Sequence, residues 1–356
     1  MMQTEIRVVR SGWDGKRCLV HARCCRTEEG LLATAQYLDT AGDDLFSGIL
    51  SAVSTDGVRW TEFREEPGLL PLREPGAVTV GCDATPMLHA ATGRVLLLGH
   101  TARYRDGDLS PAGGPRHTFW SVWDPAAGFS RMRLLDMPAG FENCGNGCGQ
   151  SVETEKGELL VPVYRNLPGD PCSQAMVLRC AFDGETLRLL EIGEPLSLKI
   201  PRGLGEPSLI RRGDEYWLTL RNDECGLVAR SRDGLRFPEM HLWRWDDGSV
   251  LQNYNTQQHW LEVRGDLCLV YTRRTPENGH VFRHRAPLFA ARVTEDGRLV
   301  RESETVLTPE RGARMGNFGA APYGDGRGMV MAAEWMQPRG CEARGSDNAV
   351  YLTVVG

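Results

Sequence analysis

The chain has 356 residues, of which 41% are hydrophobic and 25% are charged, and its formal net charge at pH 7 is -6. This is the composition of a folded globular protein and excludes a disordered or collagen-like chain. Proteins that bind nucleic acid generally carry a clustered basic face, so the acidic balance predicts no nucleic-acid partner. No apolar run approaches the roughly 18 residues of a membrane helix, which predicts no membrane partner.

The N-terminal stretch MMQTEIRVVRSGWDGK lacks the apolar core of a signal peptide, so we expect a cytoplasmic protein. Eleven cysteines are spread along the chain without a CxxC pair. In a reducing compartment most of them are expected to be small buried hydrophobic residues. Cys144 and Cys148 are close in sequence but have no His or Cys partner at ligand spacing, so we predict neither a metal nor a cofactor.

Six short apolar or alternating segments, each interrupted by a turn, recur along the chain. Their turn glycines, about 59 residues apart on average, are Gly30, Gly93, Gly157, Gly213, Gly265 and Gly326. Glycine supplies the positive φ that tight hairpin turns require. A repeat of this length fits a four-stranded blade. The pattern predicts an all-β fold, a six-bladed β-propeller of four-stranded antiparallel blades forming one domain over residues 1–356, with a strand around residues 6–9 completing the last blade.

A second motif follows the hairpins. It reads STDGVRW, WDPAAGF, FDGETL, SRDGLRF and TEDGRLV, with aspartates at Asp56, Asp124, Asp183, Asp233 and Asp296. The motif resembles the Asp-box turn of sialidases and other BNR-repeat propellers, although that family has one more residue between Asp and Gly. In the family these turns are structural, so the resemblance implies that the five aspartates are not catalytic.

Polar residues stand at constant offsets from the turn glycines. Seven residues before the glycines lie Arg23, Pro86, Gln150, Glu206, Gln258 and Gly319, with His21, Asp83, His259 and Asn317 close by. Eight residues after them lie Leu38, Thr101, Arg165, Arg221, Arg273 and Glu334. Because the innermost strand of each propeller blade lies near the central axis, these offsets predict a polar site on the axis.

The resemblance to sialidases extends to an arginine cluster that binds the substrate carboxylate in that family. Arg23 in HARCCRTEEG is similar to the first arginine and Arg221 in GEPSLIRRGDEYWLTLR to the second. The third is Arg285 in RHRAPLFAAR, with Arg283 as the alternative. Glu334 in MAAEW corresponds to the acid that orients the first arginine. The resemblance therefore implies a small acidic saccharide, either a sialic or a uronic acid, as the ligand.

Two carboxylates complete the resemblance. Asp44 in DTAGDDLFSG corresponds to the general acid, with Asp43 as the alternative, and Glu206 corresponds to the mid-chain glutamate. Paired carboxylates suit glycoside hydrolysis, since one protonates the leaving oxygen while the other activates water or attacks carbon.

The chain departs from the family at the tyrosine nucleophile. The corresponding stretch MGNFGAAPYG places Asn317 or Phe318 there, and Tyr323 lies close to the hairpin turn. We therefore predict an exo-acting glycoside hydrolase in which Glu206 activates water and the anomeric configuration inverts. One alternative is a lyase on uronates, with His21, His259 or Tyr323 removing the C5 proton. Another is a sugar-binding propeller without catalytic activity.

Overall fold

The computed structural model describes residues 2–108, 114–253 and 255–356. In these ranges the chain is built from antiparallel β-hairpins that form six sheets, numbered I to VI in chain order. The N-terminal strand β1 (Thr4–Arg10) belongs to the last of them. Sheet I contains β2 (Arg17–Arg26), β3 (Leu31–Asp39), β4 (Phe46–Ser54) and β5 (Arg64–Glu65). Sheet II contains β6 (Leu72–Glu74), β7 (Ala77–His89), β8 (Arg94–Arg105), β9 (Thr118–Asp124), β10 (Gly128–Phe129) and β11 (Arg133–Leu134).

The middle of the chain supplies sheets III and IV. Sheet III contains β12 (Cys144–Gly145), β13 (Val152–Glu153), β14 (Glu158–Arg165), β15 (Cys172–Phe182), β16 (Leu187–Ile192), β17 (Leu196–Ser197) and β18 (Arg202–Gly203). Sheet IV contains β19 (Gly205–Arg212), β20 (Glu215–Arg221), β21 (Gly226–Ser231) and β22 (Met240–Leu242).

The last third supplies sheets V and VI. Sheet V contains β23 (His259–Val263), β24 (Asp266–Tyr271), β25 (Phe289–Arg292) and β26 (Thr305–Val306). Sheet VI contains β27 (Phe318–Gly324), β28 (Arg327–Ala333), β29 (Val350–Val355) and the N-terminal β1, which pairs with β29. Short 3-10 helices occur at Pro67–Leu69, Phe282–His284, Arg301–Ser303 and Cys341–Arg344.

The six sheets follow one another around a closed ring. Strand β2 contacts β7, β8 contacts β12, β14 contacts β19, β19 contacts β23, and β23 contacts β27, which returns to β2. This arrangement confirms the predicted β-propeller, and the pairing of β1 with β29 confirms that the N-terminal strand completes the last sheet. Sheets II and III have more than the predicted four strands because short segments also pair along them, and β18 pairs with β15 in parallel.

All six predicted turn glycines lie in hairpin turns at positive φ, between 59° and 149°. Gly30 is the most constrained of them, because a Cβ atom there would come within 2.2 Å of the carbonyl oxygen of Ser54. A side chain at this turn would therefore both strain the backbone and collide with β4.

The core lies between adjacent sheets. The indole rings of Trp217 and Trp243 each meet that of Trp260 edge-on, at centroid distances of 6.2 and 5.7 Å, and join sheets IV and V. These tryptophans therefore pack between the two sheets. All eleven cysteines are free, and most are buried. Within the described ranges, no helix is long and apolar enough to cross a membrane.

The aspartates of the second motif stabilise turns. Asp56 accepts the backbone N–H groups of Val58 and Arg59, both at 2.8 Å, while Ser54 accepts that of Gly57. Asp124, Asp183 and Asp233 accept equivalent pairs of backbone N–H groups. These bonds lower the pKa of the Asp56 carboxyl. The prediction of a structural role is thus confirmed for these four residues.

Candidate functional site

A cavity of about 400 Å³ opens on the axis of the ring and receives residues from all six sheets and their loops. Its charged lining residues are Asp44, Asp83, Arg116, Arg202, Glu206, Arg221, Asp223, Arg283, Arg285 and Arg314. Six arginines against four carboxylates give this cavity an excess of positive charge, although the chain as a whole carries a net charge of -6. Such a cavity concentrates anions locally.

A repeated backbone distortion directs side chains into the cavity. His21, Asp83 and Glu206 have φ values of 55°, 54° and 47°. Each lies where the pairing register of an innermost strand is interrupted, in β2, β7 and β19 respectively. A β-bulge re-aims a side chain, and positive φ is unfavourable for residues other than glycine. In each of these three sheets, a residue with a strained backbone conformation therefore places a polar side chain at the axis.

Glu206 and Arg221 form an ion pair in the cavity wall. The Glu206 Oε2 atom lies 2.7 Å from Arg221 Nε, and the NH1 group of Arg221 donates to Asn255 Oδ1 at 3.0 Å. Burial opposes the guanidinium charge, but Glu206 and Asp223 outweigh it and raise the pKa of Arg221. The structure thus brings together the glutamate and arginine that the sequence places on one hairpin.

The adjoining part of the wall carries arginines that have no carboxylate of the described chain within ion-pair distance, and two of them, Arg283 and Arg285, share Asn255 Oδ1 with Arg221. Arg285 lines the cavity and is bound through Nε (2.7 Å) and NH2 to the backbone oxygen of Asn255, through NH2 to Asn255 Oδ1 at 2.9 Å and through NH1 to Asn317 Oδ1 at 3.3 Å. Among the described residues these contacts leave one of its five N–H groups without an acceptor. Arg314 stacks on the Trp335 ring at 4.0 Å. In the part of the chain that the structure describes, no carboxylate oxygen lies within 4.0 Å of the guanidinium nitrogens of Arg283, Arg285 or Arg314.

The electrostatic consequence is a cationic wall whose charges are only partly offset, by Glu206 near Arg285 and by Asp44 near Arg314. Burial, with Arg221 nearby, lowers the pKa of Arg285, and burial also lowers that of Arg314. A lowered arginine pKa means that the charged form is destabilised where it stands. An anionic ligand would relieve this cost, and planar guanidinium groups suit a carboxylate.

Asp44 is the carboxyl group most suited to proton donation. It lies in the loop between β3 and β4, is half-buried and lines the cavity. Burial and the neighbouring charge of Asp43 raise its pKa. A raised pKa keeps a carboxyl protonated at higher pH, as a general acid requires. Asp43 is exposed and is not a lining residue, so only Asp44 of the two predicted candidates faces the cavity.

His21 lines the cavity, and its hydrogen bond to Gln36 fixes the tautomer of its ring. Gln36 Nε2 donates to the backbone oxygens of Ser47 (2.9 Å) and Gly81 (2.7 Å), so its Oε1 faces His21 Nδ1 at 3.2 Å. The His21 Nδ1–H group must then be the donor. Burial lowers the pKa of His21, which leaves Nε2 unprotonated in the neutral ring, 3.7 Å from Asp83 Oδ1.

Arg23 lies beneath the cavity and not in its lining. Its guanidinium is fully buried and donates to Asp83 Oδ1, to the Phe318 carbonyl at 3.2 Å and to the Ala84 carbonyl at 3.3 Å. Arg23 was predicted to bind the ligand directly. Its side chain instead lies behind the residues that line the cavity. Its position is that of a support for Asp83, because its donors are directed at protein acceptors.

Replacing Arg23 by methionine is expected to lower the free energy of unfolding by about 3–5 kcal/mol, because it leaves the buried Asp83 charge without its partner. Denaturant unfolding followed by tryptophan fluorescence would measure this loss. The double variant Arg23→Met with Asp83→Asn should recover part of the stability. An unchanged unfolding midpoint in the single variant, together with weaker ligand binding, would return Arg23 to the binding residues.

The expectation that Glu334 orients Arg23 is wrong. The buried Glu334 carboxylate accepts two bonds from Arg311, at 2.8 and 2.9 Å, and also accepts the backbone N–H groups of Asp347 and Ala349. Its acceptor sites are therefore filled by residues of the loops flanking sheet VI. Glu334 is a structural residue that fixes these loops and does not line the cavity.

Gln150, Gln258 and His259 also lie outside the cavity lining. The Gln150 amide donates to the backbone oxygens of Trp260 at 2.8 Å and Ala320 at 3.0 Å, which joins sheets III, V and VI. Gln258 and His259 form hydrogen bonds with side chains of sheet IV. These predicted binding residues therefore link sheets inside the ring. Asn317, in contrast, does line the cavity and contacts Arg285, whereas Phe318 is buried in the core.

Sequence reasoning missed several lining residues, above all Arg116, Tyr164 and Arg314. Arg116 and Arg314 lie in loops that precede β9 and β27, at no fixed distance from a turn glycine. Tyr164 lies one residue from the offset position, at the end of β14. One sequence feature could have identified the two arginines. They lie in glycine-containing loops, such as RGARMGN, on the same side of the hairpins as Asp44.

Asp83, Cys148 and Glu206 offer three potential metal-ligand atoms within 4.8 Å of one another. However, Asp83 is paired with Arg23 and Glu206 with Arg221. Burial also raises the pKa of the Cys148 thiol well above its ordinary value. The charge that would attract a cation is thus already neutralised, so this donor set does not fit a metal ion well.

Comparison with known proteins places this architecture in a class. No protein-family model and no curated protein matches the chain at the sequence level. Among solved structures it is similar to a protein of unknown function from Dyadobacter fermentans, with a TM-score of 0.71 and 14% identity, covering 99% of this chain and 98% of that one. The fold is therefore shared with at least one protein of similar length.

Several of the similar structures are sialidases. A Trypanosoma rangeli sialidase in complex with sialic acid matches with a TM-score of 0.64 and 14% identity, covering 99% of this chain and 58% of that one. The NanB sialidase of Streptococcus pneumoniae matches with a TM-score of 0.65 and 11% identity, covering 98% and 70%. The chain thus spans little more than half the length of the trypanosome enzyme. These likenesses establish a sialidase-like β-propeller fold.

Proposed function

We propose that this protein is a glycoside hydrolase that acts on a small acidic saccharide bound in the axial cavity. The observation that carries the proposal is the combination of arginines that have no carboxylate of the described ranges within ion-pair distance with two differently situated carboxyl groups, Asp44 and Glu206, around one cavity. The sialidase-like fold supports a glycan-related function. We further infer that each of the six sheets is one blade, so that residues 1–356 form a single six-bladed domain.

The arginines and carboxyl groups take distinct roles in this proposal. Arg285 and Arg314 bind the sugar carboxylate, with Arg221 at the centre of the wall. Asp44, whose pKa is raised by burial, donates a proton to the leaving glycosidic oxygen. Glu206 accepts a proton from the water molecule that attacks the anomeric carbon.

The identity of residues 317 and 318 favours direct attack by water. The Asn317 side chain has no hydroxyl group that could act as a nucleophile, and its Oδ1 atom accepts a hydrogen bond from Arg285. The Phe318 ring packs edge-on against the His259 ring in the core, with 4.8 Å between the ring centroids. A covalent glycosyl–tyrosine intermediate at this position is therefore excluded by chemistry. We expect inversion of the anomeric configuration.

A thermal-shift screen against sialic and uronic acids, followed by activity assays on glycosides of the acid that binds, tests the proposal. The anomer first released would be identified by proton NMR in deuterated buffer. An inverted product supports the assigned roles, and a retained product contradicts them. Sugar affinity without turnover, unaltered by Asp44→Asn or Glu206→Gln, would instead favour a non-catalytic sugar-binding protein.

One observation favours a second candidate function, a lyase acting on uronates. Of the three predicted bases, only His21 lines the cavity, and its Nε2 lone pair is available to remove a C5 proton. His259 is buried behind the wall, and Tyr323 contacts Arg7 at the outer turn of sheet VI. Elimination would give an unsaturated product that absorbs in the near ultraviolet, whereas hydrolysis would not.

A further inference from the structure

Arg116 forms a second cationic feature of the cavity. It lies in the loop between β8 and β9 and its guanidinium donates from NH1 to the Tyr164 hydroxyl at 2.6 Å and from NH2 to Asn166 Oδ1 at 3.0 Å. Burial raises the pKa of the Tyr164 phenol, so this partner is neutral. Both acceptors therefore orient the guanidinium without cancelling its charge.

The Arg116 guanidinium retains unused donors. An arginine has five N–H groups, and the contacts to Tyr164 and Asn166 use two of them. Within the described ranges, no carboxylate oxygen lies within 4.0 Å of its nitrogen atoms. The side chain is half-buried, and it lines the cavity. Among the described residues, three N–H groups of Arg116 have no acceptor and its charge has no carboxylate partner, so both can serve a ligand.

The guanidinium is also held in place before any ligand arrives. Its backbone N–H donates to Asn143 Oδ1 at 2.9 Å, and its guanidinium carbon lies 4.8 Å from the centre of the Tyr164 ring. Pre-ordering of a long side chain reduces the entropy lost on binding. This arrangement is therefore suited to recognition of an anion.

Arg116 and Arg285 occupy different stretches of the cavity wall, since the first is held by Tyr164 and Asn166 and the second by Asn255 and Asn317. Arg116 belongs to sheet II and Arg285 to sheet V, and two sheets separate these on either side of the closed ring. The Glu206–Arg221 pair of sheet IV lies between them along one side. Within the described part of the chain, the two guanidinium groups have no partner in common, so we treat them as two separate anion-binding positions.

We propose that the cavity takes an acidic disaccharide with one negative group on each sugar, the second of which is bound by Arg116. This rests on the proposed function and specifies its substrate class. The first group binds at Arg285 and Arg314, and the second, a carboxylate or a sulfate, binds at Arg116 with Asn166 and Tyr164 as neutral neighbours. The glycosidic bond then lies over the centre of the cavity, where the Glu206–Arg221 pair is located.

Matched ligands test this proposal by isothermal titration calorimetry on the full chain. The first arm compares a uronic acid–N-acetylhexosamine disaccharide with and without a sulfate on the hexosamine. The second compares digalacturonic acid with the disaccharide of galacturonic acid and galactose, whose second sugar carries no carboxylate. The dianionic member of at least one pair is expected to bind wild-type protein about tenfold to a hundredfold more tightly, and the arm that responds identifies the second group as sulfate or carboxylate. Equal affinities within both pairs would overturn the proposal.

The variant Arg116→Gln is expected to abolish that difference and leave the monoanionic ligand unaffected. The matched control is Arg103→Gln, which removes an exposed arginine of β8 that lies outside the cavity. Arg116→Lys should restore part of the preference, because it restores the charge.

Equal weakening of mono- and dianionic ligands in Arg116→Gln would indicate a structural role only. If Arg285→Gln weakens every ligand while Arg116→Gln changes none, this inference fails and the proposed function stands; if Arg285→Gln changes none, the proposed function itself fails.

Discussion

Replacing Asp44 by asparagine is expected to lower kcat by about 10²–10⁴-fold with little change in KM. The amide keeps the size and hydrogen-bonding capacity of the side chain but cannot transfer a proton to the leaving oxygen. The loss should be smallest for substrates with a good leaving group, such as an aryl glycoside, because departure of that group needs no proton. Steady-state kinetics on alkyl and aryl glycosides of the same acid would measure the two effects.

The neighbouring Asp43 provides a control within the same loop. Because Asp43 is exposed and does not line the cavity, Asp43→Asn should retain most of the activity. A comparable loss in both variants would indicate damage to the loop and contradict the specific role of Asp44.

The pH profile sharpens this comparison. The general acid must be protonated, so activity falls as pH rises through the pKa of Asp44. Burial, followed by the Asp43 charge, raises that pKa. Removing the Asp43 charge in Asp43→Asn therefore lowers the pKa and moves the descending limb of the kcat/KM profile to lower pH. A shift in the opposite direction would contradict this assignment.

The ring could be predicted from sequence because its determinants are local. Glycine at a tight turn is a requirement of a few neighbouring residues, and all six turn glycines were found where expected. The alternation of the hairpin strands is equally local, as is the bonding of Asp56 and Asp233 to their own turns. Because such features repeat along the chain, the interval of about 59 residues between turn glycines is enough to predict the ring of hairpins.

The cavity could be predicted only in part because bulges disturb the interval. A register shift in β2 makes His21 a lining residue and directs Arg23 towards Asp83 beneath the cavity. Counting from Gly30 cannot reveal this shift. Loop residues such as Arg116 and Arg314 follow no period at all, and which of them meet depends on contacts between distant sheets.

Replacing Arg285 by glutamine is expected to weaken binding of the acidic sugar by about 10–150-fold, the loss of one charge-assisted interaction of about 1.5–3 kcal/mol. Asn255 and Asn317 hold the guanidinium in position, so its binding geometry does not have to be acquired when the ligand arrives. The effect should appear in KM more than in kcat, because the carboxylate is bound in both ground and transition states.

A neutral analogue in which the carboxylate is an amide should bind the variant and the wild type about equally, which separates lost charge recognition from a distorted site. Arg292→Gln, on the exposed side of the same sheet, is the matched control and should behave as wild type. If Arg285→Gln bound the acid and its amide with unchanged affinities, the cationic wall would not be the binding site, and the acid would have to be recognised elsewhere on the ring.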